Sequence, residues 1–264
     1  MIEEHLKLIL FALSGSFLAG MATSLGAIPV FFGKFISPKT EDILLGFSGG
    51  IMLAASFFSL LSPAIDMLIE NYHSKLISSI LASFGFGMGA VIFWIADKFL
   101  PSDYILKKFA AQHKSKISLK GIWLFTLAIT VHNFPEGMSS AMGFLTGDIG
   151  RGIALASGIG IQNIPEGLAV ALALVSAGYS KKFAFFISMI TGLVEPIGGL
   201  VGILIFGFTD VILPIGLSFA AGAMIFVISK EVIPETHKKG FELEATTGLM
   251  IGFILMMILD ISLS

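Results

Sequence analysis

The sequence predicts an all-α membrane protein, an eight-transmembrane-helix bundle, on three observations. Apolar stretches recur from end to end of the 264-residue chain, each near the roughly 20 residues that cross a bilayer as helix. Charged residues make up 13%, about half of the ~25% that a soluble domain carries, and the mean hydropathy is +0.94. No alternation of β-barrel type is visible, so the spans are helical.

Breaks at charge and turn clusters delimit the spans in order. The first, 8–32, lacks a short basic-flanked core with a cleavage site and is a retained span. Ser37–Pro38–Lys39 is the turn to the second, 43–68, whose far end carries Asp66, Glu70 and His73. The third, 76–97, leads into a polar segment, 98–120, that is expected to be a cytoplasmic loop. The fourth, 121–145, ends at Thr146–Gly147–Asp148, and the fifth, 151–177, at Gly178–Tyr179–Ser180. The sixth (183–207), seventh (211–229) and eighth (246–263) complete a single polytopic domain, 1–264. Loops after the odd-numbered spans hold 13 of the 16 basic residues. Basic loops stay in the cytoplasm, so both termini are expected to be non-cytoplasmic and the location to be the cell (inner) membrane, multi-pass.

A formal charge of −2 and the lack of basic runs with interleaved aromatics exclude a nucleic-acid partner. Without cysteine the chain has no disulfide, thiolate metal site or thiol catalysis. The expected partners are the lipid bilayer and a divalent metal ion, with a second copy of the chain as a candidate homodimer partner.

Three acids stand out. Glu136, Glu166 and Glu195 fall mid-span in the fourth, fifth and sixth spans, with no Lys or Arg at comparable depth. An acid at the bilayer centre costs about 2.5–3.5 kcal/mol on insertion scales. Either raised pKa values keep the three protonated or they share a cation, and three acids at one depth favour the cation. Two of them sit in repeated motifs, His132–Asn133–Phe134–Pro135–Glu136–Gly137 and Gln162–Asn163–Ile164–Pro165–Glu166–Gly167; Glu195–Pro196 is a reduced echo. On a helix, positions i, i+3 and i+4 share a face, so each motif sets an acid beside two polar side chains. Each proline removes a backbone N–H and frees the carbonyl four residues earlier, at Val131 and Ile161. Kinked helices four and five would then form a midplane metal site, with Gly137 and Gly167 permitting close helix approach. Gly46, Gly49, Gly50, Gly85, Gly87 and Gly89 are expected to let helices slide.

Imidazole, carboxylate and amide together suit a divalent transition metal. The chain lacks H-E-x-x-H and has one midspan histidine, His132, so it is not read as an enzyme and needs no catalytic cofactor. The alternative reading is a proton-coupled carrier of an organic cation that uses the same acids as a relay.

The paired HNFPEG and QNIPEG motifs, with eight spans and outside termini, resemble the ZIP family of divalent metal transporters, its prokaryotic GufA-like branch in particular. The resemblance implies a binuclear centre with ligands at His132, Asn133, Glu136, Gln162, Asn163, Glu166 and Glu195. It also implies a ligand at Met52, in the span-two segment GGIMLAAS, and an elevator-like movement of a four-helix unit that includes spans four and five. The chain departs from the family where Gln162 stands for a common His and Asn163 for a common Asp. The second departure removes a negative charge and leaves the second metal position weaker, structural or absent. The family's His-rich loop is also missing, since 98–120 holds only His113 with Asp103 nearby.

Asp66, His73 and Asp260, with Glu70, lie at outer span ends, where an anionic vestibule would concentrate cations as well as an ordinary interface would hold charges. Glu231, Glu235 and His237 follow span seven on the cytoplasmic side. They are candidate exit residues, although Pro234 is expected to end that helix and leave a solvated loop. The sequence thus predicts zinc transport: uptake of Zn²⁺ into the cytoplasm, with Fe²⁺, Mn²⁺, Cd²⁺ and Co²⁺ suited to the same donors.

Overall fold

The computed structural model describes residues 2–33, 37–99, 119–206, 212–237 and 240–263. Residues 100–118 of the expected cytoplasmic loop, with Asp103 and His113, lie outside the described residues, as do Lys34, Lys238 and Lys239. Among the described residues every regular element is helical.

Helix α1 spans Ile2–Ala27 and closes in a tight 3-10 turn, Ile28–Phe32. Helix α2 (Pro38–Ala54) passes through a π-helical segment, Ala55–Leu61, into α3 (Ser62–Tyr72). Then follow α4 (Lys75–Phe99), α5 (Leu119–Leu145), α6 (Ile149–Ser176), α7 (Lys181–Gly192) and α8 (Val194–Phe206). Helix α9 (Leu213–Val227) passes through a second π segment, Ile228–Val232, into α10 (Ile233–Thr236), and α11 is Glu242–Leu263. Seven stretches are long and apolar enough to cross a membrane: Leu6–Phe32, Pro38–Tyr72, Lys75–Ile95, Ile149–Ser176, Lys181–Phe206, Leu213–Thr236 and Glu242–Leu263. The 27-residue α5, which carries the first proline motif, is an eighth long helix.

Local chemistry explains the boundaries. Ser37, Asp148 and Ser180 cap α2, α6 and α7, each side-chain oxygen accepting from the backbone N–H three residues on, at 3.1, 3.0 and 3.2 Å. Gly147 and Gly178 take φ of 84° and 91° in the two turns between helices, a region open to glycine at no steric cost. Pro135 and Pro165 lie inside unbroken helices. Pro234 does not end its helix, contrary to the sequence expectation. The π segment before it resets the hydrogen-bond register, so Pro234 falls in the first turn of α10, where its missing N–H is not required.

The helices pack most extensively in two groups. In one, α1 lies against α6, α5 and α7, and α5 against α8; in the other, α2 lies along α11 and α4 along α9. Glycines fix both. Gly20 meets the Gly192 carbonyl, Gly26 that of Ile164, Gly137 that of Glu195 and Gly167 that of Thr23, all within the first group. Gly46 and Gly50 meet the carbonyls of Ala245 and Leu249, and Gly89 that of Phe219, within the second. Gly46 and Gly50 therefore join α2 to α11, and Gly85 and Gly89 join α4 to α9, by close backbone contact, whereas Gly49 faces the Val232 side chain and Gly87 meets nothing. Between the groups the contact is made mainly by side chains. Met52, Met138, Met142, Met224 and Met256 lie buried there with Leu155, Ile159 and Leu217; Gly150 adds one backbone contact, to the Leu263 carbonyl. Methionine is unbranched and adapts to irregular gaps, whereas backbone seams do not yield.

A Cβ at position 50 would run into the Leu249 carbonyl, while one at position 87 meets nothing within 4 Å. Gly50→Ala is therefore expected to destabilise the protein by about 1–3 kcal/mol. Gly87→Ala should be neutral or stabilising by up to about 1 kcal/mol. Thermal unfolding of the two variants in detergent checks the contrast.

Candidate metal centre

The repeated motifs meet across α5 and α6, and α8 brings the third acid to them. Glu136 and Glu195 are fully buried, and Glu166 is 1% exposed. Each carboxylate is held by a neutral donor from another helix. Gln162 Nε2 donates to Glu136 Oε1 at 2.6 Å, Asn163 Nδ2 to Glu195 Oε1 at 2.5 Å, and Ser48 Oγ on α2 to Glu166 Oε1 at 2.6 Å. Glu136 lies within electrostatic reach of both other acids, and Glu195 of Glu166. Like charges at that range in a low-dielectric interior repel strongly, so a cation between them relieves both burial and repulsion.

The amides are oriented by the backbone of neighbouring helices. Asn133 Nδ2 donates to the Thr191 carbonyl on α7 at 2.8 Å, and Asn163 Nδ2 also reaches the Ala19 carbonyl on α1 at 2.8 Å. With their nitrogens engaged, the amide oxygens are left over. Asn133 Oδ1, Gln162 Oε1, Asn163 Oδ1 and the Oε2 atoms of Glu136, Glu166 and Glu195 are buried with no hydrogen-bond partner. All six are acceptors. Each such atom ordinarily costs about 1–3 kcal/mol, and a divalent cation satisfies several at once. Among the described residues, no three His, Cys, Asp or Glu side chains are gathered as a ready-made ligand set. Amide and hydroxyl donors hold one oxygen of each acid instead.

His132 is buried and lines a small cavity of about 20 Å³ together with Glu166, Leu45, Ile129, Glu231, Val232 and Glu235. The cavity thus joins two site residues to two of the candidate exit acids. Helix continuity through the π segment is what places Glu231 and Glu235 on it. His237 is elsewhere: its Nδ1 lies 2.8 Å from the Ile233 carbonyl, closing the helix end. Met52 is fully buried on α2, one turn beyond Ser48. The outer candidates divide. Asp66 and His73 are exposed, whereas Asp260 is buried and accepts a 2.5 Å bond from Ser59 in the first π segment.

Two residues escaped the sequence reading. Ser48 carries no signal that separates it from the other serines of apolar helices. Asp42 reads as a span-end charge, but it is fully buried on α2.

Asn163 offers a direct test of the departure from the family pattern. Asn163→Asp withdraws the donor from the Ala19 carbonyl and sets a second anion against Glu195. The variant is expected to melt lower than the wild type in metal-free buffer and to gain more from added Zn²⁺, because ligand binding stabilises in proportion to affinity. Thermal scans with and without metal measure both shifts.

Known proteins are similar to the chain over most of its length. A family model described as ZIP Zinc transporter matches residues 108–260. The zinc transporter GufA of Myxococcus xanthus is 41% identical over 251 residues, covering 95% of this chain and 98% of that protein. The zinc transporter ZIPB of Bordetella bronchiseptica is 42% identical over 253 residues, covering 96% and 81%. The zinc transporter ZupT of Chlorobaculum parvum is 35% identical over 259 residues, covering 94% and 96%. Matched over almost its whole length by zinc transporters 41% and 42% identical to it, this multi-pass membrane protein belongs to the ZIP family.

Proposed function

We propose that the chain carries divalent transition metal, zinc first, into the cytoplasm through the buried carboxylate, imidazole and amide site. The observation that carries the reading is the set of six buried acceptor oxygens whose donor counterparts are already used. Such a set disfavours anions and suits a hard or borderline cation. Names of relatives from several organisms, all zinc transporters, favour a metal over an organic cation and a transporter over an enzyme. Fe²⁺, Mn²⁺, Cd²⁺ and Co²⁺ suit the same donors.

In this reading the chain, 1–264, is one polytopic domain of the cell membrane with both termini outside the cytoplasm. Asp66 and His73 attract hydrated metal at the outer surface, and Asp260 stands behind them. Glu136, Glu166, Glu195 and His132 replace the lost water, Asn133, Gln162 and Asn163 add amide oxygens, and Met52 adds a thioether. Glu231 and Glu235 receive the ion on the cavity that reaches His132 and Glu166. The glycine seams favour movement of whole helix groups over bending of single helices.

Uptake of Zn²⁺ into proteoliposomes tests the reading. Glu136→Ala and Glu166→Ala should each reduce uptake to the level of empty liposomes while inserting normally; full uptake in both variants would refute the site. Because carboxylate and imidazole bind metal in their deprotonated forms, wild-type uptake should fall as the outer pH is lowered. A rate series across pH at fixed free Zn²⁺ checks the sign.

A further inference from the structure

Ser48 is fully buried, and its hydroxyl oxygen faces two acceptors on another helix. Glu166 Oε1 lies at 2.6 Å and the backbone carbonyl oxygen of Gln162 at 3.1 Å. A hydroxyl has one hydrogen and serves one acceptor at a time. The shorter distance and the carboxylate charge make Glu166 the acceptor here, with the Gln162 carbonyl as the alternative within reach.

The position of this contact gives it weight. Ser48 belongs to α2, which glycines 46 and 50 seal to α11, while Glu166 and Gln162 belong to α6 in the other helix group. The other side-chain hydrogen bond described between the groups runs from Ser139 Oγ to the Met224 sulfur at 3.2 Å, and a thioether is a weak acceptor. Several other buried hydroxyls bond within their own helices, Ser56 to the Met52 carbonyl and Ser218 to that of Pro214, while Ser59 and Ser188 reach other helices of their own group, at Asp260 and the Gly167 carbonyl. Leu45, one turn before Ser48, lines the cavity shared by His132 and Glu166.

We propose that Ser48 is a positioning residue that couples loading of the site to the fit between the two helix groups. While the site is empty, its hydroxyl compensates Glu166 and links α2 to α6. When a divalent cation takes up the carboxylate charge, the hydroxyl turns to the Gln162 carbonyl, and the link to the carboxylate is released without leaving a donor unpaired. The inference rests on the reading of this site as a divalent-metal site and adds a residue of the opposite helix group to it.

The sign of the effect follows. Ser48→Ala removes the donor that compensates Glu166 in the empty site but takes little from the loaded site, where metal does the compensating. Metal therefore binds the variant more tightly, by about 3- to 10-fold for a bond of this class, and leaves it more slowly. Ser48→Thr keeps the hydroxyl, and Ser78→Ala removes one that bonds only the Ser74 carbonyl, four residues before it.

The test measures Zn²⁺ binding to purified protein and Zn²⁺ uptake into proteoliposomes for the wild type and these three variants, with thermal stability of each. The expected result is a dissociation constant and KM that fall together several-fold in Ser48→Ala, with a lower maximal rate, while Ser48→Thr and Ser78→Ala stay within about twofold of wild type. Unchanged or raised KM in Ser48→Ala, a loss of maximal rate alone, or a Ser48→Thr variant that behaves as Ser48→Ala overturns the proposal. If the wild type neither binds nor carries Zn²⁺, the functional reading fails and takes this one with it; if it does both and Ser48→Ala is unaltered, only the role of Ser48 fails.

Discussion

Three carboxylates held away from water with no basic partner are the constraint around which the rest of the molecule is arranged. Charge burial of this kind is tolerated only with hydrogen bonds or a counter-ion. The chain supplies one neutral donor to each acid, from Gln162, Asn163 and Ser48, and leaves the second oxygen of each carboxylate free. Half-satisfied acids are a poor solution for a structural core but a suitable one for reversible capture. On the proposed function, a full complement of donors would leave no carboxylate oxygen for a metal, and none at all would leave three buried charges uncompensated.

The packing supports the same compromise. Backbone-to-backbone seams at Gly137 and Gly167 hold the site helices to α8 and α1, so that the donors stay aimed. Across the boundary to α2, α9 and α11 the contact is mostly by side chains, with methionines supplied by α5 on one side and by α2, α9 and α11 on the other. Precision within a group and adaptability between groups follow from one choice of residue type, glycine against methionine. Among the described residues, the bond from Ser48 crosses this boundary to a carboxylate of the candidate site.

Much of this was legible in the sequence, because membrane insertion makes each exception conspicuous. Glu136, Glu166 and Glu195 are visible against an apolar background, and Asn133 and Asn163 are visible through the repeated motif. The helical class followed from composition and span length alone. What escaped depends on register and on long-range pairing. Ser48 lies 118 residues from the carboxylate it serves, and no spacing rule connects the two. The π segment at Ile228–Val232 is a local under-winding without a sequence signature, so Pro234 read as a helix end when it is a helix start. The glycines of the second and third spans read as a face along which helices slide, and that Gly46 and Gly50 approach α11 and Gly89 approaches α9 is decided by the tertiary fold.

The lack of cysteine in the sequence has a practical consequence for spectroscopy. Any thiol introduced into this chain is its only thiol, so one substitution makes a labelling site and two make a distance pair, with no native residue to remove first. Exposed positions such as Ile164 on α6 and Ile254 on α11 stand on helices of opposite groups. A spin-label or fluorophore pair there would report displacement between the groups, while a pair on Ile164 and Leu18, both in one group, would serve as its internal ruler.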